Sequence, residues 1–420
     1  MKKSVNERVK EAMKEQGVDL LLITPSSDMV YLLGKCMMSD ERLNVYVVPA
    51  EGRDFLFVND VYGQEVAGWG IPETEVVTWK DGENAVSLLL EQLEKKRLPY
   101  GKIGIGASMP AGFLVPLQEA FARTRFVLHR EILGWMRRYK NEQEQSLMEE
   151  ACSRCTEALK AVMKAGSGWI GKTEGAFADA LCREMEQRGI SEAGALVCAG
   201  AHAAVPHYTG KDGIISADAC LLVDFGGKYR GYCSDMSRTF YFCGENDKRR
   251  EFEAVYGIVL AALEAGQGAA VLGGRMEDVD NAARRVIAEA GYGEYFTHRT
   301  GHGIGIDTHE EPCAASGDKS VIEPGLAFSV EPGIYLPGKF GIRIEDQIFM
   351  TADGAKVLHD YPRNEWLVCG WRVVFCNKVR YGQYLYAVFM AWRKYNGLCK
   401  SRPLDYAVPK RKRNDAAAGC

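Results

Sequence analysis

Residues 221–242 read LLVDFGGKYRGYCSDMSRTFYF, two runs rich in Val, Leu, Phe, Tyr and Thr around a Lys-Tyr-Arg-Gly turn. Such composition, bounded by glycine, predicts paired strands. A hairpin centred between Tyr229 and Arg230 sets Asp224 directly opposite Asp235, with side-chain origins roughly 5 Å apart. Two facing carboxylates repel, so the pair requires a shared proton or an intervening cation.

A second stretch of this kind, FSVEPGIYLPGKFGIRIEDQIF, occupies 328–349. Centring its turn on Gly338 pairs Glu331 with Glu345 and creates a second facing acid pair. Between the two hairpins lies THRTGHGIGIDTHEEP, 297–312. Glycines on both sides of His302 permit a tight backbone that presents the imidazole, and His309 follows in the same segment. Four carboxylates with one imidazole and no thiolate form a ligand set for two divalent metal ions, with Mn²⁺ preferred and Co²⁺, Zn²⁺ or Fe²⁺ left open. Two ions roughly 3.5 to 4 Å apart can share a water, lower its pKa and polarise the carbonyl it attacks.

Outward from these stretches, the pattern divides the chain. From Val5 to about Arg130 a helix (Val5 to Gln16) and strands near 20–24, 45–48, 54–58, 76–79 and 102–106 alternate with helices at 83–94 and 111–122. This is an α/β domain, 1–130, with no phosphate-binding loop and no histidine cluster, suited to a structural or substrate-capping role. Residues 136–362 form an α+β domain in which helices at 141–165, 173–189, 248–265 and 276–290 back the strand-rich blocks at 195–242 and 298–350.

A chain of 420 residues with 47% hydrophobic residues and net charge −4 supports two soluble domains and gives no electrostatic reason to expect nucleic acid. No run of apolar residues is long enough for a membrane span, and the charged amphipathic start lacks a secretory h-region, so a cytoplasmic protein is expected. The 13 cysteines have no spaced framework, which fits reduced thiols, and the Cys152/Cys155 pair inside a helical run reads as packing.

The ordered set PHYTG (His207), LLVDFGG (Asp224), SDMSRTF (Asp235), GHGIG with HEEP (His302, His309), VEPGIY (Glu331) and GIRIED (Arg343, Glu345) resembles the pita-bread metallopeptidases, specifically their Xaa-Pro dipeptidase (prolidase) and aminopeptidase P branch. The resemblance spans most of 136–362, and PSSDMVYLLGK is similar to that branch's N-terminal domain. It implies an α/β N-terminal domain plus an α+β pita-bread catalytic domain that cleaves the bond between an N-terminal residue and proline. By the same resemblance Asp224 chelates one metal, Asp235 and Glu345 bridge both, and His302 with Glu331 completes the other. Glu331 is then the general base, while His207 and His309 hydrogen-bond the substrate carbonyl and the developing oxyanion. Arg343 either orders Glu345 or meets a substrate carboxylate; His202 is read as a loop histidine outside the site. Arg238 and Thr239 are candidate supports for the ligands.

A small peptide is the expected partner of an expected homodimer, with neither nucleic acid nor membrane. A methionine aminopeptidase-like enzyme and a non-catalytic module on the same scaffold are the competing readings. The separate N-terminal domain and PHYTG favour the proline-directed branch, and the presence of all five ligands disfavours the module. Dipeptides and longer peptides are not separated by sequence. Residues 370–420 lie beyond the resemblance; from Trp371 onward 11 Lys or Arg accompany 2 Asp. Such a basic, aromatic segment can mark a nucleic-acid or nuclear-import patch, but without helical or strand periodicity it reads as a tail with no stable fold.

Overall fold

The computed structural model describes residues 4–244, 249–370 and 372–374. Its first part contains α1 (Val5–Gln16), β1 (Leu20–Ile23), α2 (Ser27–Leu33), β2 (Val45–Pro49), β3 (Phe55–Asn59), α3 (Gly63–Ala67), β4 (Val76–Trp79), α4 (Ala85–Lys95), β5 (Lys102–Ile105), α5 (Ala111–Ala120), β6 (Arg125–Leu128) and α6 (Trp135–Arg138). The strands make one six-stranded mixed sheet in the order β4-β3-β2-β1-β5-β6. Strand β1 is a continuous Leu-Leu-Leu-Ile run because both sheet faces are covered. Leu21 and Ile23 join Val9 and Met13 of α1, whereas Leu20 and Leu22 join Leu89, Leu93 and Leu117 of α4 and α5.

Helix α2 and strand β6 go beyond the sequence pattern. Helix α2 is short and its N-cap Ser26 makes no side-chain cap bond, while β6 is an edge strand whose end residues are exposed. Neither therefore carries the periodic signal of a well-buried element.

The second part contains α7 (Glu142–Met163), α8 (Glu174–Gln187), β7 (Ser191–Ala199), β8 (Ala219–Tyr229), β9 (Tyr232–Phe242), α9 (Arg249–Ala269), α10 (Met276–Glu289), β10 (Gly301–Gly303), β11 (Glu310–Ala314), β12 (Ala327–Val330), β13 (Gly333–Leu336), β14 (Phe340–Arg343), β15 (Asp346–Thr351), β16 (Gly354–Val357), β17 (Leu367–Cys369) and β18 (Arg372–Val374). Two five-stranded sheets form, β18-β17-β9-β8-β7 and β11-β10-β12-β15-β16, with β13-β14 as a separate ribbon. Leu221, Val223 and Phe225 of β8 pack against α7 and α8, while Cys220 and Leu222 join the core under α9 and α10. The strand's period of two thus assigns Asp224 to the α9/α10 side. Cys152 and Cys155 are buried in α7, consistent with packing.

Two expectations are corrected here. Cys243 and Cys369 form a disulfide across the ends of the paired strands β9 and β17, a proximity that linear spacing does not display; the other 8 described cysteines are free thiols. Residues 372–374 of the presumed structureless tail pair antiparallel with β17, whereas 371 and 375–420 lie outside the described residues. No helix among the described residues is long and apolar enough to cross a membrane.

The two parts meet at Arg137 on α6. Its guanidinium bonds Asp28 of α2 at 2.8 Å, and Asp307 and Glu310 of the second part at 2.7 and 2.6 Å. Lys140 adds a 3.0 Å bond to Glu310, His129 lies 3.3 Å from Asp28, and Ser27 bonds Asp307. Burial opposes ionisation of Asp28, but the His129 ring and the Arg137 guanidinium outweigh it and hold the carboxyl at about 2. A carboxylate depressed in the folded state stabilises it above the ordinary value of 3.8, and that contribution disappears as pH falls through 2. Wild type is therefore expected to lose about 2 kcal/mol more than Asp28→Asn between about pH 4 and pH 2, measured by urea denaturation. Equal acid dependence in the two proteins would remove Asp28 from this role.

Candidate metal centre

In the β8-β9 hairpin Tyr229 pairs with Tyr232, leaving Arg230 and Gly231 as a two-residue turn with φ of 48° and 88°. Both central residues at positive φ give the turn whose twist matches its strands, and the glycine makes it accessible. This corrects the expected register. Asp224 stands opposite Ser237 and Asp235 opposite Gly226, so the two acids are diagonal neighbours rather than a direct pair. An offset of two residues preserves parity, which keeps both on the same face.

Glu331 and Glu345 occupy a gap between two ladders of one register. Gly333 pairs with Arg343 on one side and Val330 with Asp346 on the other. At the gap the backbone bonds turn outward: Glu331 N–H donates to Thr300 O at 2.7 Å and Glu345 N–H to Ser237 O at 3.0 Å. Each acid is thereby tied to the strand or loop that carries another candidate ligand. His302, on β10, has its own N–H bonded to Ser329 Oγ at 3.1 Å. A Cβ at Gly301 would stand 1.9 Å from Ser329 O, so the approach of β10 to β12 requires glycine there.

These elements bring the five candidates together. Ligand atoms of Asp235, His302 and Glu345 all lie within 4.8 Å of one another. His302 Nε2 is 3.3 Å from Glu331 Oε1 and 3.7 Å from Asp235 Oδ2. Its Nδ1 lies 3.0 Å from Gly303 O, where it donates, which leaves the Nε2 lone pair aimed at the carboxylates. Asp224 is held by Arg343 at 2.6 Å. Arg343 also donates to Ser237 Oγ at 2.9 Å, and Ser237 donates to Glu345 Oε2 at 2.8 Å. Of the two roles expected for Arg343, ordering of the acids is the one this geometry carries. Arg238 bonds the Glu345 carbonyl and Asp346, and Thr239 bonds the Arg343 carbonyl, so both support the ligand strand.

Four carboxylates against the guanidinium groups of Arg343 and Arg299 leave a deficit of positive charge. Burial, then the charges of Asp224 and Glu331, push the Asp235 carboxyl well up, and burial, then Asp235, does the same to Glu345. Glu331 rises to about 7 through burial and the Asp224 charge, although Arg343 pulls the other way. Burial and the neighbouring His309 push His302 down to about 3, so it is a neutral imidazole at physiological pH. The buried Glu345 Oε1 has no hydrogen-bond partner among the described residues. An orphaned carboxylate oxygen beside a neutral imidazole lone pair and raised acids is the arrangement that divalent cations satisfy.

Beside this cluster is a cavity of about 300 Å³ lined by Asp224, Asp235, His207, Thr308 and His309. The His309 ring packs edge-on against His302 with centroids 4.3 Å apart, and burial pushes its pKa down. His207 sits on the cavity wall from the loop after β7. Sequence reasoning missed Ser237, Ser329, Tyr335 and His298. Tyr335 Oη accepts from Arg343 at 2.8 Å and lies 2.8 Å from His298 Nε2. Strand parity was the available signal for the two serines, since Ser237 and Ser329 each lie two residues from a candidate ligand, Asp235 and Glu331.

The description of metallopeptidase family M24 matches residues 146–352, and that of the creatinase/prolidase N-terminal domain matches 6–139. A probable dipeptidase, PepE, of Mycobacterium tuberculosis is 35% identical over 357 residues, 84% of this chain and 92% of that protein. Among solved structures, a prolidase from Thermococcus sibiricus superposes with a TM-score of 0.80 at 30% identity, covering 86% of this chain and 97% of the other. A dipeptidase from Pyrococcus horikoshii gives 0.78 at 30% identity, covering 87% and 100%. Fold and relatives together define a peptidase with two domains. The chain belongs to metallopeptidase family M24, and its relatives are prolidases and dipeptidases.

Because folded Glu331 keeps a proton that the unfolded chain releases, its contribution to the metal-free fold is complete below 4.5 and is lost as pH rises through about 7. Cations that bind only the folded state offset that loss. Adding Mn²⁺, Co²⁺ or Zn²⁺ to chelator-stripped protein is expected to raise the melting temperature, by more at about pH 8 than at about pH 5. Asp235→Asn should lose both this rise and stoichiometric metal. Melting indifferent to added metal and to chelators would refute the metal reading.

Proposed function

We propose that the protein hydrolyses the peptide bond between an N-terminal residue and proline in short peptides, with two divalent cations held by Asp224, Asp235, His302, Glu331 and Glu345. The observation that carries this reading is the convergence of Asp235, His302 and Glu345 within 4.8 Å, with Glu331 beside His302, Asp224 on the adjoining cavity wall and Glu345 Oε1 without a hydrogen-bond partner among the described residues. The resemblance to a solved prolidase over most of the chain supports the proline preference. Bound there, the cations supply charge neutralisation, Lewis-acid polarisation of the scissile carbonyl and acidification of the attacking water.

The remaining work falls to the chain's own residues. Glu331 accepts the proton of the attacking water and returns it to the leaving proline nitrogen as the C–N bond breaks. Its carboxylate lies 3.3 Å from His302 Nε2, among the side chains that would hold the cations. His207 and His309 donate hydrogen bonds to the carbonyl oxygen as it becomes an oxyanion. Arg343 holds Asp224 in place and, through Ser237, fixes the orientation of Glu345.

His309→Ala is expected to retain metal while kcat falls by about 10²- to 10³-fold. Metal analysis beside steady-state kinetics checks this, and a fully active variant would remove His309 from the mechanism. For specificity, Mn²⁺-loaded enzyme should cleave Ala-Pro and Gly-Pro and lose that activity on chelation. Ala-Pro-Ala assayed in parallel separates a dipeptidase from an enzyme that trims longer chains. Release of methionine from Met-Ala-Pro, together with inertness towards Xaa-Pro bonds, would assign a methionine aminopeptidase-like activity instead.

A further inference from the structure

The sequence supplies no evident reason for His207 to hold one position, since it lies in a loop between β7 and β8. The structure supplies one through Glu174, the first residue of α8, which is 1% exposed and lies outside the cavity lining. Its Oε1 accepts the Ala199 N–H at 2.7 Å and meets His202 Nδ1 at 2.8 Å, and its Oε2 accepts the Gly213 N–H at 3.1 Å. Ala199 ends β7 and Gly213 lies on the far side of His207, so a single carboxylate ties both stems of the loop. The backbone of α8 closes the same junction, with Glu174 N–H on Gly213 O at 2.8 Å and Gly175 N–H on Lys211 O at 2.9 Å.

Within the loop, the His202 ring stacks on Tyr208 with centroids 4.0 Å apart and planes 25° from parallel. Tyr208 directly follows His207. The chain of contacts therefore runs from a buried acid, through an imidazole and a phenol ring, to the backbone of a residue on the cavity wall. Burying a carboxylate is costly unless its oxygens are fully satisfied, and an apolar side chain would fill such a space at lower cost. What the carboxylate adds is direction, because its three partners admit one arrangement of the stems.

We propose that Glu174 and His202 are positioning residues for His207, holding its imidazole where it donates to the reacting carbonyl. The inference rests on the role given to His207 above. It makes His202, which the sequence assigned to an ordinary loop, part of the support of the site. Displacing a donor by a fraction of an ångström weakens a bond made in the transition state more than binding of the ground state.

The test is a double-mutant cycle on the Mn²⁺-loaded enzyme with Ala-Pro as substrate. His202→Ala is expected to lower kcat by about tenfold with little change in KM, while metal content stays at the wild-type value. His202→Asn, which can still donate to Glu174, should recover most of the rate. In a His207→Ala background the His202→Ala substitution should cost almost nothing further. Glu174→Gln should behave as His202→Ala does; should it fail to fold, the partly exposed His202 still carries the test. An equal loss in both backgrounds, or no loss in either, would overturn the positioning role while leaving His207 in the mechanism. Full activity of His207→Ala would instead overturn the role of His207 and this inference with it.

Discussion

Like charges gathered at one place set the terms for the catalytic part of this molecule. Asp224, Asp235, Glu331 and Glu345 approach one another around the neutral imidazole of His302, with the buried Arg343 bonded to Asp224 and, through Ser237, to Glu345. Such a cluster persists only where the fold over-determines it. Here three of the acids are anchored to segments that carry or adjoin another candidate ligand: Glu345 to β9 through Ser237, Glu331 to Thr300 beside the His302 strand, and Asp224 to Arg343 at the end of β14. The hydrophobic cores under α7/α8 and α9/α10 hold the sheets that impose these approaches.

Much of this was legible in the sequence, because a strand's parity is a strong constraint. The assignment of Asp224 and Asp235 to one face survived an error in the turn, since the true register differs by two residues. Centring the second hairpin on Gly338 gave the register the structure has, but not the gap in which Glu331 and Glu345 sit. That gap exists because neighbouring strands capture both backbones, and pairwise reading of one hairpin contains no information on a third strand. The Cys243–Cys369 bond and the Arg137 cluster were hidden for the same reason, as their partners are more than a hundred residues apart. Glu174 was invisible too: one acid at the start of an amphipathic helix reads as a favourable interaction with the helix dipole.

The site residues and the family resemblance inform different questions. Geometry indicates which side chains can hold cations and which can donate to a carbonyl. The relatives, prolidases and dipeptidases, indicate the class of bond, a peptide bond.

The Arg137 junction has a consequence for how the gene product can be divided. One guanidinium satisfies an acid of α2 and two acids beside His309, while Ser27 reaches Asp307 from the same side. The stretch between the sheets is thus no tether. A chimaera that exchanged the first 130 or so residues for those of a relative would have to import an acid at position 28 and a hydroxyl at position 27, or leave Arg137 and Asp307 bonded from one side only. Protease nicking in this joint should likewise leave the fragments associated, since the fragments continue to share the ions that bind them.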